Sequence, residues 1–165
     1  MSYAEFLAKK SQDSTLYGFT PPALPGFLFD FQQSLVDWAL RKGRAAIFAD
    51  CGLGKTPMQL VWAQRVMEHT NRSVLILSPL AVAQQTGAEG QKFGIEVIRS
   101  RQGEKAPGAR ILVTNYERLH HFSPEDYAGV VCDESSILKH FAGATQTAVT
   151  RFLLKMPYRL LCTAT

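Results

Sequence analysis

Short apolar runs, with a helix-length segment between most of them, constrain this chain more than any other feature. The runs are Ala45-Ala-Ile-Phe-Ala49, Val74-Leu-Ile-Leu-Ser78, Ile95-Glu-Val-Ile-Arg99, Ile111-Leu-Val-Thr114, Gly129-Val-Val-Cys132 and Arg159-Leu-Leu-Cys-Thr163. Helical segments are expected over Phe31–Arg41, Thr56–His69, Leu80–Phe93 and Thr145–Leu154. A strand with one wet face alternates apolar and polar residues, whereas most of these runs are apolar on both faces and so need cover on both. The pattern predicts an α/β fold: a three-layer open parallel sheet with helices on both faces. Polar residues gather just after the strand ends, at Asp50, Ser78, Asn115, Asp133 and Thr163. Open parallel sheets bind ligands at that carboxyl edge.

Composition agrees. Of the 165 residues, 46% are apolar and 19% charged, enough for one sizeable core and too apolar for wholesale disorder. No apolar run approaches the roughly 18 residues of a membrane helix, so no membrane contact is expected. The first residues place Glu5 early and Lys9-Lys10 after the apolar positions, the wrong order for a secretory signal. Cys51, Cys132 and Cys162 are odd in number and lack Cys-x-x-Cys spacing, which argues against a disulfide framework or a zinc site and for a reducing, cytoplasmic setting. His120-His121 lacks a nearby set of further ligands and is not a convincing metal site. Residues 1–30 read as a short helix, with Ser2 and Glu5 as its capping box and Tyr3, Phe6 and Leu7 on one face, followed by an arm broken by Gly18, Pro21, Pro22, Pro25 and Gly26. Residues 31–165 form the domain proper.

The strongest local signal is Ala49-Asp-Cys-Gly-Leu-Gly-Lys-Thr56, set directly after one strand and before a helix. This is the spacing of a phosphate-binding loop, with Ala49 where glycine is usual. Gly52 and Gly54 let the backbone turn its N–H groups toward phosphate oxygens. Lys55 would reach the β- and γ-phosphates of a nucleoside triphosphate, and the Thr56 hydroxyl would hold Mg²⁺. Pro57 suits the first helical turn, where its missing N–H costs nothing. A second element is Gly129-Val-Val-Cys-Asp-Glu134, a buried strand ending in adjacent carboxylates. Asp133 would hold Mg²⁺ through its water shell, and Glu134 would orient and deprotonate an attacking water. Either motif alone admits a bland reading; together and in this order they specify a triphosphatase.

From Phe29 onward the order of motifs resembles the first RecA-like lobe of a superfamily-2 helicase or translocase, nearest to the Swi/Snf-like branch and its phage-encoded relatives. Phe31-Gln32 followed by Leu35, Val36 and Trp38 looks like the family's opening motif. The loop is similar to Asp-x-x-Gly-Leu-Gly-Lys-Thr. Leu75-Ile-Leu-Ser-Pro-Leu80 and Val113-Thr-Asn-Tyr-Glu117 look like its two nucleic-acid-facing segments, Asp133-Glu-Ser-Ser136 stands where relatives carry Asp-Glu-Ala-His or Asp-Glu-Ala-Asp, Lys139 matches a lysine that often follows, and Thr163-Ala-Thr165 looks like the coupling motif. The resemblance implies that ATP and Mg²⁺ are the cofactors, that Gln32 reads the adenine, and that Thr163 and Thr165 couple hydrolysis to strand movement. It also implies that Ser78, Thr114 and Asn115 contact the phosphate backbone of DNA, or alternatively RNA. Its host is then a bacterial or phage-infected cell. Two departures stand out. Ser135-Ser136 replaces the usual small residue plus histidine or aspartate, so the contact toward the coupling motif must differ. The family's second lobe, with its arginine finger, is missing from these 165 residues. The partner implied is such a lobe in cis or trans, and little ATP hydrolysis is expected without it.

Plainer readings remain beside these. Gln32 fits an exposed helix face, and Ser78 and Thr114-Asn115 fit strand-end caps. The basic clusters Arg41, Lys42, Arg44 and Arg99, Arg101, Lys105, Arg110 fit a solvated helix end and a solvated loop, even with the net charge of +4. Trp38 and Trp62 read as core, and Cys132 and Cys162 as small apolar packing. The rival functions are a P-loop small-molecule kinase, which would need a lid with arginines, and a non-catalytic ATP-binding interaction module.

Overall fold

A computed structural model of the chain describes residues 16–104, 107–141 and 143–164. Its elements, in chain order, are α1 (Asp30–Lys42), β1 (Arg44–Phe48), α2 (Lys55–Thr70), β2 (Ser73–Ser78), α3 (Ala83–Lys92), β3 (Val97–Arg99), β4 (Ile111–Asn115), β5 (Tyr127–Cys132), α4 (Gly143–Lys155) and β6 (Tyr158–Thr163). Short 3-10 turns cover Tyr116–His121, Pro124–Asp126 and Ser135–Lys139. The strands form one sheet in the order β1-β6-β5-β2-β4-β3, every pair parallel.

Alternation along the strands builds two cores. Val74, Ile76, Ile111, Val113, Val131, Leu160 and Cys162 face α1 and α2, whose Val36, Ala39, Leu40, Trp62 and Val66 fill that side. Leu75, Leu77, Leu112, Val130 and Cys132 face the other way, against Leu119 and Phe122 from the 3-10 region and Val149, Phe152 and Met156 from α4 and its end. The expected three-layer α/β architecture is therefore present, with strands and helices within a few residues of the expected bounds. Two bounds moved for a local reason. Helix α3 starts at Ala83, after a turn in which Val82 and Ala83 donate to the Pro79 carbonyl. Ile95 donates to Gly90 and closes that helix instead of opening β3.

The helix expected near the N-terminus, with Ser2, Tyr3, Glu5, Phe6 and Leu7, lies outside the described residues. The arm after it is anchored. Tyr17, Gly18 and Phe19 donate their backbone N–H groups to the carbonyls of Lys42, Arg41 and Leu40, which the last turn of α1 leaves without helical partners. Trp38 corrects the sequence reading. It is 43% exposed, because the buried stripe of α1 runs through Gln32, Val36, Ala39 and Leu40, and a residue two past Val36 points about 200° away. Trp62 is in the core as expected.

Candidate functional site

The phosphate loop leaves β1 at the carboxyl edge. Ala49 N–H donates to the Thr163 carbonyl at 3.0 Å, so β1 and β6 stay zipped up to the start of the loop. The loop then turns sharply: Cys51 N–H donates to Asp50 Oδ1 at 2.7 Å, and Leu53 N–H to the Asp50 carbonyl at 3.3 Å. Gly52 and Gly54 adopt φ of 83° and 71°, the left-handed region that favours glycine. Helix α2 begins immediately, so its N-terminal N–H groups and positive dipole end point out of the loop. Lys55 Nζ donates to the Ala49 carbonyl at 2.9 Å and lies 3.4 Å from that of Asp50, which holds the ammonium under the loop.

Gln32 does not sit on an exposed face. It is buried at the start of α1, where its Oε1 accepts from Phe29 N–H at 3.0 Å and its Nε2 donates to the Leu53 carbonyl at 3.0 Å. The opening motif and the phosphate loop are thus bolted together by one amide. Gly54 is part of this contact, since a Cβ there would stand 2.3 Å from Gln32 Nε2.

Asp133 and Glu134 follow β5, separated from β1 by β6 alone. Asp133 is fixed at three points: its N–H donates to the Leu77 carbonyl at 2.8 Å, its carbonyl accepts from Tyr116 Oη at 2.6 Å, and its Oδ1 accepts from Gln59 Nε2 at 2.7 Å. Burial pushes the Asp133 carboxyl above the usual range; the Gln59 bond and the Glu134 backbone N–H pull it back, the Glu134 charge adds to the rise, and Lys55 opposes it. Glu134 stands in the left-handed region at φ 49°, a conformation costing roughly 1–3 kcal/mol in a residue with a Cβ and found mostly at functional sites. Its Oε1 accepts from Ser136 Oγ at 2.9 Å and from Thr163 Oγ1 at 3.0 Å. The altered contact expected from Ser135-Ser136 is therefore visible: two hydroxyls, one from the acidic motif and one from β6, converge on a single carboxylate oxygen.

Other sequence candidates fall elsewhere. Ser78, Thr114 and Asn115 are 0%, 2% and 6% exposed, so their side chains are buried at the strand ends and do not stand on an open surface. Thr165 and Lys105 lie outside the described residues. Arg41, Lys42 and Arg110 precede β1 or β4 and Arg44 opens β1, so all four stand at the amino edge, away from the site; Arg41 pairs with Asp37 at 2.7 Å, and Arg44 lies over the Tyr17 ring. Arg99, Arg101 and Lys139 are exposed toward the carboxyl edge. No cluster of metal-ligating side chains occurs among the described residues, and the His120 and His121 rings lie 3.9 Å apart, tilted by 42°. Gln59 and Tyr116 escaped the sequence reading. A signal existed for the first: Gln59 is the one polar residue in Met58-Gln-Leu-Val-Trp-Ala63, and a polar side chain inside a buried stripe needs a partner.

The carboxyl edge therefore gathers a glycine-lined loop, a helix N-terminus, one ammonium, two carboxylates and the hydroxyls of Thr56, Ser136 and Thr163. Gly52 is uncrowded: a Cβ on it would meet nothing within 4 Å, so the loop is open to solvent at this point. Such a set can receive a polyphosphate with its divalent cation.

The fold, a parallel six-stranded sheet with helices on both faces, is similar to that of solved helicase and SWI2/SNF2 ATPase cores. The T4 phage UvsW helicase superimposes with a TM-score of 0.70 at 13% identity, over 100% of this chain and 61% of that one. The Sulfolobus solfataricus SWI2/SNF2 ATPase core, solved in complex with dsDNA, superimposes with a TM-score of 0.70 at 22% identity over 89% of this chain and 34% of that one. A further structure of that ATPase core domain matches at 20% identity, over 92% and 34%. The chain thus spans between about a third and three fifths of the length of these proteins. No protein-family model and no curated protein matches the sequence.

Proposed function

We propose that this chain is the ATP-binding lobe of a nucleic-acid-dependent ATPase of the helicase or translocase type. The observation that carries the reading is the Glu134 carboxylate, held between its own motif and β6, on the same sheet edge as the Lys55 loop. A kinase excludes water and needs no water-activating carboxylate at all; a motor needs one and must also transmit the state of its γ-phosphate along the sheet. Support for DNA as the track comes from the dsDNA in the Sulfolobus complex and from Arg99, Arg101 and Lys139 near the same edge.

In this reading the loop N–H groups and Lys55 bind the triphosphate, Gln32, its amide taken up by Phe29 and Leu53, braces the loop, and Thr56 and Asp133 would hold Mg²⁺. Bound Mg²⁺ supplies charge neutralisation on the phosphates. Glu134 orients a water and takes its proton; Thr163 and Ser136 hold that carboxylate until β6 moves. Phosphoryl transfer asks for positioning and charge stabilisation, and one part of that charge, an arginine, belongs to a second lobe. Its absence costs about 10³–10⁵ in rate, or roughly 4–7 kcal/mol.

The test is ATP turnover, with and without DNA, by residues 1–165 alone and together with a matching second lobe. The isolated chain should turn over almost no ATP, and the two-lobe assembly should hydrolyse it in a DNA-dependent manner. Glu134→Gln should abolish that hydrolysis while keeping ATP bound, because the amide cannot accept a proton. Brisk hydrolysis by the Glu134→Gln assembly would remove Glu134 from the mechanism.

A further inference from the structure

Gln59 sits at a position that no motif claims. It lies on α2 four residues after Lys55 and three after Thr56, hence on the same side of one rigid helix. It is 1% exposed in a stripe otherwise filled by Met58, Leu60, Val61, Trp62 and Ala63. A buried amide among such neighbours is costly unless it is hydrogen-bonded. Its donor goes to Asp133 Oδ1 at 2.7 Å, 74 residues on in sequence. One side chain therefore joins the phosphate-loop helix to the carboxylate after β5.

Resting on the reading of the site as an ATP·Mg²⁺ centre, we infer that Gln59 is the positioning residue that sets where Asp133 meets the metal. The reasoning is geometric. Asp133 is fixed through its backbone by Leu77 and Tyr116, but its carboxylate is still free to rotate about the side-chain bonds. The Gln59 amide removes that freedom by occupying one oxygen from behind, and it does so from the helix that also carries Lys55 and Thr56. The Thr56 hydroxyl and the Asp133 carboxylate are then registered to each other through a single helix, not through two independent loops. An outer hydrogen bond of this kind typically changes metal affinity 10–100-fold when it is removed.

The experiment is calorimetric titration of the 165-residue chain with ATP, in chelator and over a range of Mg²⁺ concentrations. Gln59→Leu should leave affinity in chelator within about twofold while raising the Mg²⁺ concentration at half effect about 10-fold. Gln59→Met, which keeps length and burial without the donor, should behave alike and replaces Gln59→Leu if that variant does not fold. In an Asp133→Asn background the Gln59 substitution should add nothing, because the group it positions no longer carries the charge. A helix merely disturbed by the substitution would lose ATP affinity in chelator and would do so in both backgrounds; that result overturns the inference. So does an unchanged Mg²⁺ dependence in Gln59→Leu and Gln59→Met. If the unaltered chain binds no ATP, the underlying reading of the site fails first, and the two failures are thereby told apart.

Discussion

Replacing Gly54 by alanine tests the loop from the inside. Two separate costs arise at this position. The backbone is left-handed at φ 71°, where a Cβ adds about 1–2 kcal/mol of strain. The new Cβ would also stand 2.3 Å from Gln32 Nε2, the movable end of a flexible side chain. Gln32 therefore swings away instead of the backbone distorting, and the loss is its bond to the Leu53 carbonyl, about 0.5–1.5 kcal/mol. The sum is about 2.5 kcal/mol, which lowers the melting temperature of a domain this size by roughly 5–10 °C. Gly52→Ala is the internal control. Its φ of 83° carries the same backbone cost, but its Cβ would meet nothing, so it should fall short of Gly54→Ala by the value of the Gln32 bond. Adding Gln32→Ala to Gly54→Ala should cost less than Gln32→Ala alone, since that bond is already broken. Thermal denaturation by circular dichroism, with all four variants at one protein concentration, reads these differences. Equal losses from Gly52→Ala and Gly54→Ala, or full additivity with Gln32→Ala, would refute the claim that Gln32 braces the loop.

Two further outcomes follow from the edge chemistry. Burial pushes the Cys132 and Cys162 thiols up to about 12, whereas Cys51 is exposed in the phosphate loop. At pH 8 only about 10⁻⁴ of each buried thiol is thiolate, a fraction that grows as pH rises toward 12, so a disulfide reagent should label one thiol per native chain and three after denaturation; fast labelling of two or more in the native chain would contradict the burial. Binding of DNA through Arg99, Arg101 and Lys139 implies a salt slope of about −2.7, or a loss of about 40-fold between 50 and 200 mM salt, with little dependence on probe sequence; a slope near zero, or a sequence-specific shift, would exclude these three as the contacts.

What the sequence reveals and what it hides divide along physical lines. The central strands β2, β4 and β5 were legible because both of their faces are buried, so the apolar runs are continuous and short. The loop from Ala49 to Thr56 and the Asp133-Glu134 pair were legible because their chemistry fixes residue type and spacing together. Trp38 was misread because helical periodicity tells which residues share a face only after the buried face is known, and Gln32, Val36 and Ala39 define it here. The burial of Ser78 and Thr114 was invisible because it depends on what packs around the strand ends in three dimensions, which leaves no periodic signature in the sequence. The Gln59 contact joins residues distant in sequence, and the Ser136 contact departs from the family pattern, so local propensity carries no record of either.

The central claim is that the carboxyl edge binds ATP with Mg²⁺ through Lys55. Calorimetric titration of the 165-residue chain with ATP, set beside Lys55→Ala, tests it most directly. The account predicts Mg²⁺-dependent binding by the unaltered chain and an affinity about 10–100-fold lower in Lys55→Ala, the worth of a hydrogen-bonded charge on the phosphates. Equal affinity in the two proteins would contradict it.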